Sequence, residues 1–471
     1  MGGSTFTKAS ADGEPTLYTP RMTPKVYAQL KSTCIERLQE VLPDHQICAL
    51  IEAPEKKDYG DLDIIIAHDG PVNTMELARH VGARGLIKHS TGENQSFSLA
   101  VPQDMVRSVE DRDPVIYKHR HKTDTSITEA HPPAPLSTKV CAQIDVHIVN
   151  TADYDWHIFY SSYGDLNILL GHIVRQHGFS LTDKGLFLRL PEYDAAKELD
   201  AERTTPHLNI EDTLGKLFLS NDPVQVMDFL GLDPNRYYDG FTTVRDFFDW
   251  LSASRLVGRE TAGGHSDQPS TKTRAKPRFV KRPLFTSFLD DHLPKKFQHI
   301  STTNGTNSKE EVTCQTCKQP TQPPPIIPSS IPTRPVLHRE AVASFARTSA
   351  YTDLHTKLIH TIANQEADHF LKPIIAKYSN VTDRKKVGEI LRAMQRWVGV
   401  GECCGKMSVS EEPHGIGASQ LGRLVDGTCG DVVLRDEVGV EAWVKEHWDE
   451  VKGLERQRVK REREGKELKE G

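Results

Sequence analysis

No run of about 18 apolar residues, the length that spans a bilayer as a helix, occurs in this 471-residue chain. A membrane span is therefore not expected. The opening residues, Met1-Gly2-Gly3-Ser4-Thr5-Phe6, form no apolar stretch of the secretory-signal kind. They also miss the myristoylation pattern, because Phe6 stands where Ser or Thr is required. Cysteine is sparse and scattered, at Cys34, Cys48, Cys141, Cys314, Cys317, Cys403, Cys404 and Cys429. Cys48 and Cys141 fall inside strand-like runs, which reads as reduced thiols rather than a disulfide framework. A cytoplasmic or nuclear location is the expectation. Positive charge is not in excess, with 59 Lys and Arg against 65 Asp and Glu and a net charge of −6. Any nucleic-acid contact has to be a local patch. A Walker loop is excluded at Gly399–Lys406, where Val400 replaces the needed Gly and Met407 the needed Ser or Thr. Cys314-x-x-Cys317 has no second pair at zinc-site spacing, since Cys403 and Cys404 are adjacent and far away. It reads as two thiols in a linker.

What remains is enough to fold. Hydrophobic residues make up 37% and charged residues 26%, so a packed core is expected beside long polar segments. The length suits two to four domains of about 100–200 residues. The most informative stretch is Tyr59-Gly60-Asp61-Leu62-Asp63-Ile64-Ile65-Ile66-Ala67. It reads as a strand that begins with two carboxylates. Alternation sends Leu62, Ile64 and Ile66 to one face and Asp61 and Asp63 to the other. Two carboxylates about 4 Å apart repel by about 4 kcal/mol at an effective dielectric near 20. A divalent cation turns that repulsion into attraction. A second strand, Cys141 to Val149, alternates in the same way, with Ile144, Val146 and Ile148 apolar and Gln143, Asp145 and His147 polar. If the two strands are neighbours, Asp145 faces Asp61 and Asp63. Three carboxylates on one sheet face suit two Mg²⁺ ions and phosphoryl or nucleotidyl transfer.

Gly-Asp-Leu-Asp leading an apolar strand, followed at a distance by an apolar-Asp-apolar strand, resembles the DNA polymerase β-like nucleotidyltransferase superfamily. The resemblance covers residues 24–150. That family has an apolar-Gly-Ser turn, a spacer, an Asp-x-Asp strand and a later single Asp. Here the upstream strand is Gln46 to Ile51, and Glu52-Ala53-Pro54 stands where Gly-Ser is expected, nine positions before Asp61 at Glu52. Ala53 offers a backbone N–H, Pro54 has none, and the charge of Glu52 repels phosphate. The resemblance implies Asp61, Asp63 and Asp145 as metal ligands and catalytic residues, with Ala53 and Gly60 as nucleotide-contacting positions. It implies Mg²⁺ or Mn²⁺ as cofactor and an NTP as substrate. The acceptor, with RNA and protein as candidates, is left open. The altered turn motivates a second expectation, a catalytically inactive nucleotidyltransferase-fold protein that binds or scaffolds.

Along the chain, residues 1–22 read as a disordered N-terminus. A domain over 23–150 follows, with the α+β, nucleotidyltransferase-like mixed sheet and helices that the resemblance implies. Thr23-Pro24 starts a helix with Val26, Leu30, Cys34, Leu38 and Val41 at helical spacing. Asn73 or Thr74 caps a helix expected to run through Ile87. Ser96–Val101 and Val115–Tyr117 read as strands, and 120–138 as a surface loop that includes His131-Pro132-Pro133. His119-Arg120-His121 reads as an exposed loop. Residues 151–300 read as a mainly helical domain, with a helix from Gly164 to Gln176 ended by Gly178, a hairpin over 181–190, a helix from Asp222-Pro223 to Gly231, and a capping box of Thr243 with Asp246. Tyr163-Gly164-Asp165-Leu166-Asn167-Ile168 nearly repeats Tyr59 to Ile64. Its sequel has helical periodicity, so it reads as helix capping rather than a second acidic site. Residues 258–275 read as a linker and the basic stretch 272–296 as a solvated face, with a phosphate-binding role as the sharper alternative. Residues 301–335 are a Pro-rich linker, 336–451 a helical C-terminal region with a last helix over Glu441–Val451, and 452–471 a charged tail.

Overall fold

The computed structural model describes residues 5–6, 9–10, 17–90, 95–104, 113–119, 140–258, 282–297, 331–401, 406–414, 419–426, 433–434 and 436–470. The Cys314 and Cys317 pair, Cys403-Cys404, Cys429, residues 120–138, and the linkers over 259–275 and 301–330 lie outside these residues. So does the basic stretch before Arg282. The chain divides into two compact units, Met1–Leu186 with Ser220–Arg334, and Phe187–Leu219 with Pro335–Gly471. The protein is α+β.

The first unit is built on a six-stranded mixed sheet. Its strands are β1 (Ile47–Ala49), β2 (Asp61–Ala67), β3 (Gly85–Ser90), β4 (Ser96–Pro102), β5 (Val115–Ile116) and β6 (Cys141–Val149). They lie in the order β1-β2-β6-β4-β3-β5. Only β2 with β6 and β3 with β5 run parallel. One face carries the main core. Leu62, Ile64, Ile66, Ile144, Val146, Ile148, Phe97 and Leu99 pack there under helices α1 (Pro24–Val41) and α2 (Thr74–Val81). Helix α1 forms as expected, with Thr23 Oγ1 accepting from Val26 N at 3.4 Å and Pro24 at the first helical position. Its buried residues, Tyr27, Leu30, Cys34 and Leu38, recur every three or four positions. Ile144 has no exposed surface on the central strand pair. Ile144→Ala is expected to destabilise the protein by about 2–5 kcal/mol, read as a lower urea midpoint at unchanged slope.

The other face is covered by apolar residues at both ends and carries half-buried acids between them. At one end Phe6, Ala9 and Leu17 pack on Ile87, Ala100, Tyr117 and Cys141. These three residues correct the expectation of a disordered N-terminus where the chain is described. At the other end Tyr154, from helix α3 (Tyr154–Ser161), packs on Ile65, Ala67 and Val149. The alternation of β2 is therefore not simply apolar against polar. Its second half is buried on both faces, and only its start presents acids.

Other boundaries differ for local reasons. Helix α2 is capped by Asn73 and stops at Val81, because Gly82 takes the left-handed conformation at φ 84° and closes the last turn. Leu86 and Ile87, expected in that helix, lie in β3. The strand expected over Gln46–Ile51 is confined to Ile47–Ala49. Helix α4 (Leu166–Arg175) confirms the helical reading of the near-repeat, but Asp165 caps it without a side-chain bond. Its carboxylate instead pairs with Arg282. The described part of the basic stretch thus makes internal contacts, with Lys296 Nζ donating to the Ser252 hydroxyl at 2.7 Å and its carbonyl at 3.2 Å. The Thr243–Asp246 capping box forms, with bonds of 3.1 and 3.2 Å.

The second unit is mainly helical, around Thr348–Ser379, Arg384–Trp397 and Glu437–Glu470. Leu371, Ile375, Ile390, Met394, Val444 and Val451 form its core. Buried Glu366 anchors the 200–210 segment through Arg203 at 2.9 Å and His207 at 3.1 Å. The last helix runs well past Val451, into the tail expected to be charged. Ion pairs one turn apart support it there, among them Arg458 with Glu455 at 2.7 Å. Among the described residues, no helix is long and apolar enough to cross a membrane.

Candidate functional site

The stretch of this face between the two apolar covers is acidic. In the parallel ladder of β2 and β6, Asp63 stands opposite Asp145 and Asp61 opposite Gln143. Neighbouring strands lie about 4.8 Å apart, so the three carboxylates share one face within a few ångströms of backbone separation. All three are half-buried. Burial, then the charges of Asp61 and Asp145, then that of Glu52, push the Asp63 carboxyl up to about 8. Burial and the charge of Asp145 also raise Asp61. The cluster resists carrying its full negative charge. The sequence placed these three residues on one face, and the register brings them together.

The turn before β2 adds a fourth acid. Glu52 is close enough to raise both Asp61 and Asp63, and it also raises the phenol of Tyr27, after burial itself. Lys56 pairs with Glu52 at 2.5 Å and lies 5.0 Å above the Tyr59 ring. Its charge opposes the shifts of both aspartates. Ala53 lies next to Gly164. The turn is pinned there by Tyr163 N to Ile51 O at 2.6 Å and Ile51 N to Ser162 Oγ at 3.2 Å. Gly60 is buried just before the strand.

No family model matches the chain, and no curated protein matches its sequence.

Asp145 differs from its two neighbours in being held. Gln143 Nε2 donates to both of its oxygens, at 3.0 and 2.9 Å, and Ser98 Oγ donates to Oδ1. Beyond it, His147 and His157 are held below the usual imidazole range, chiefly by burial. Among the described residues, no three His, Cys, Asp or Glu side chains already stand in metal-holding geometry. The donor chemistry nevertheless fits a hard cation. The groups are carboxylate oxygens, and their mutual repulsion is what such an ion relieves. Sequence reasoning named Gln143 as polar but not as a partner of Asp145, and it missed Ser98, His89 and Lys56. The strand alternation over Ser96–Val101 carried the signal for Ser98, since a serine in a buried run needs a partner.

Proposed function

We propose that the first unit contains a nucleotidyltransferase-like domain that moves a nucleoside monophosphate from an NTP to a nucleophile on an acceptor. The observation that carries this reading is the parallel register setting Asp63 against Asp145, with Asp61 two residues earlier on the same face. Asp61, Asp63 and Asp145 are the residues that would hold Mg²⁺ or Mn²⁺. Bound there, the ion supplies charge neutralisation for the triphosphate and lowers the pKa of the attacking hydroxyl. Asp61 and Asp63, at the open end of the strand, face the triphosphate. Asp145 faces the acceptor and takes its proton on a carboxylate oxygen. Lys56 offers a cation to the phosphates when it leaves Glu52. Cys34, Cys48 and Cys141 form no disulfide, which suits a reducing cytoplasmic or nuclear setting. The acceptor nucleophile is a hydroxyl or another group, with RNA and protein both within the reading.

The test is pyrophosphate release from each labelled NTP with Mg²⁺ or Mn²⁺. Release by the wild-type protein that Asp145→Asn abolishes supports the reading. Release that survives Asp145→Asn defeats it.

The Glu52 carboxylate favours a second reading, a catalytically inactive domain that binds. It stands where the resemblance implies a phosphate-binding turn. Under that reading Mg²⁺ and NTP bind without turnover. In either case Glu52→Gln is expected to tighten Mg·NTP binding. One charge about 6 Å from a phosphate at an effective dielectric near 40 costs about 1.4 kcal/mol, or about tenfold in Kd. Isothermal titration calorimetry reads it, and a weaker Kd in the variant shows that Glu52 does not face the phosphates.

A further inference from the structure

We propose that His89, Ser98 and Gln143 are positioning residues for Asp145, fixing the carboxylate in the orientation the transfer needs. This rests on the transfer reading above. The observations are independent of that reading.

Ser98 stands opposite Asp145 in the antiparallel ladder of β4 and β6. It is 1% exposed, and Gln143, two residues before Asp145 on the same face, is 2% exposed. Both are polar groups buried in a sheet face, and both give their donors to one carboxylate. Their orientations are determined. Gln143 Oε1 accepts from the backbone N–H of Thr5 at 3.1 Å, so its NH₂ group has to point at Asp145. Ser98 has a single hydroxyl proton, and the carboxylate can only accept it. The contact of Ser98 Oγ with His89 Nε2 at 2.6 Å therefore runs the other way, with His89 holding its proton at Nε2 and donating it to Oγ. Thr5, Gln143, Asp145, Ser98 and His89 form one directed chain with the carboxylate at its centre.

The backbone is shaped for this chain. Lys88 pairs with Phe97 and Ser90 with Ser96, so His89 is an extra residue, a β-bulge. Regular pairing would set residue 89 opposite Ser96. The bulge gives that place to Ser90, while His89 lies on the same face as Ile87, whose ladder partner is Ser98, and reaches Ser98 from there. Bulges commonly re-aim side chains beside active sites. Fold stability does not require the imidazole there, because His89 is on the exposed part of the strand. Its loss leaves the core intact.

The test uses the full chain. His89→Ala is expected to lower kcat for pyrophosphate release about tenfold, within the 10–100-fold typical of groups that orient a ligating carboxylate, with KM for the NTP unchanged. Ser98→Ala is expected to do the same. His89→Gln, whose amide nitrogen can replace Nε2 as a donor, is expected to restore most of the rate. A second readout needs no activity. In ¹⁵N NMR of the metal-free protein, His89 is expected as the Nε2–H form with a protected proton, and the protection is lost in Ser98→Ala, which removes the acceptor. If the wild type releases pyrophosphate but both alanine variants match its kcat, the positioning role is overturned and the transfer reading stands. A His89 ring protonated only at Nδ1 overturns the directed chain. No release by the wild type overturns the transfer reading and, with it, the catalytic role of these residues.

Discussion

Asp63→Asn is expected to raise the melting temperature of the metal-free protein at pH 8, with the gain shrinking steadily as the pH falls toward 4. The cause is the raised carboxyl of Asp63, pushed up to about 8 by burial and by Asp61 and Asp145. The sign follows from proton linkage. Between the unfolded value near 3.9 and 8, the folded protein holds a proton at Asp63 that the unfolded chain has released. Stability therefore falls as pH rises across that window, and below it the penalty is absent. A shift of about four units sets an upper bound of about 5–6 kcal/mol. Side-chain rotation and water entry reduce the realised penalty to about 2 kcal/mol, or roughly 4–8 °C for a domain of this size. Thermal melts of both proteins across pH 4–8 test it. Added Mg²⁺ is expected to stabilise the wild type more than the variant, because binding to the folded state alone adds to stability. A variant that melts below the wild type at pH 8 means that the ionised carboxylate is a stabilising group, and the strained acidic cluster has no basis.

The sequence showed this cluster for a specific reason. Strand alternation is local, and Asp61, Asp63 and Asp145 are each fixed to a face by their own immediate neighbours. Only the adjacency of β2 and β6 needed the tertiary structure. Helix α1 was legible because Thr23, Pro24 and the spacing of Leu30, Cys34 and Leu38 agree. Helix α2 reads too long from sequence because Leu86 and Ile87 continue an apolar pattern past Gly82, the glycine that stops the helix. That error hid β3, and with it the bulge at His89, whose existence depends on two ladder pairings far apart in sequence. The apolar covers at Phe6 and Tyr154 were invisible for a related reason. Phe6 is an isolated aromatic residue in polar surroundings and carries no periodicity, and the burial of Phe6 and Tyr154 alike depends on a sheet that is assembled from distant segments.

Asp145→Asn is expected to lower the rate of pyrophosphate release by at least about 10³-fold while leaving the protein folded. Two effects of one substitution separate here. The catalytic loss is large because a carboxylate that neutralises charge and accepts a proton contributes several kcal/mol to the transition state, and about 4 kcal/mol is about 10³-fold. The structural loss is small. An asparagine oxygen still accepts from Ser98, but the amide nitrogen then faces the NH₂ group of Gln143, so one bond to the present carboxylate is replaced by two opposed donors. Losing one such bond costs about 1–2 kcal/mol, a fall in the urea midpoint that leaves the native state dominant. Steady-state release and urea denaturation on the same preparation therefore give the decisive ratio. A rate loss no larger than the loss of folded protein assigns Asp145 a purely structural place in the Ser98–Gln143 network. A rate loss hundreds of times larger, with Mg·NTP still bound by the variant, puts the chemistry at this carboxylate.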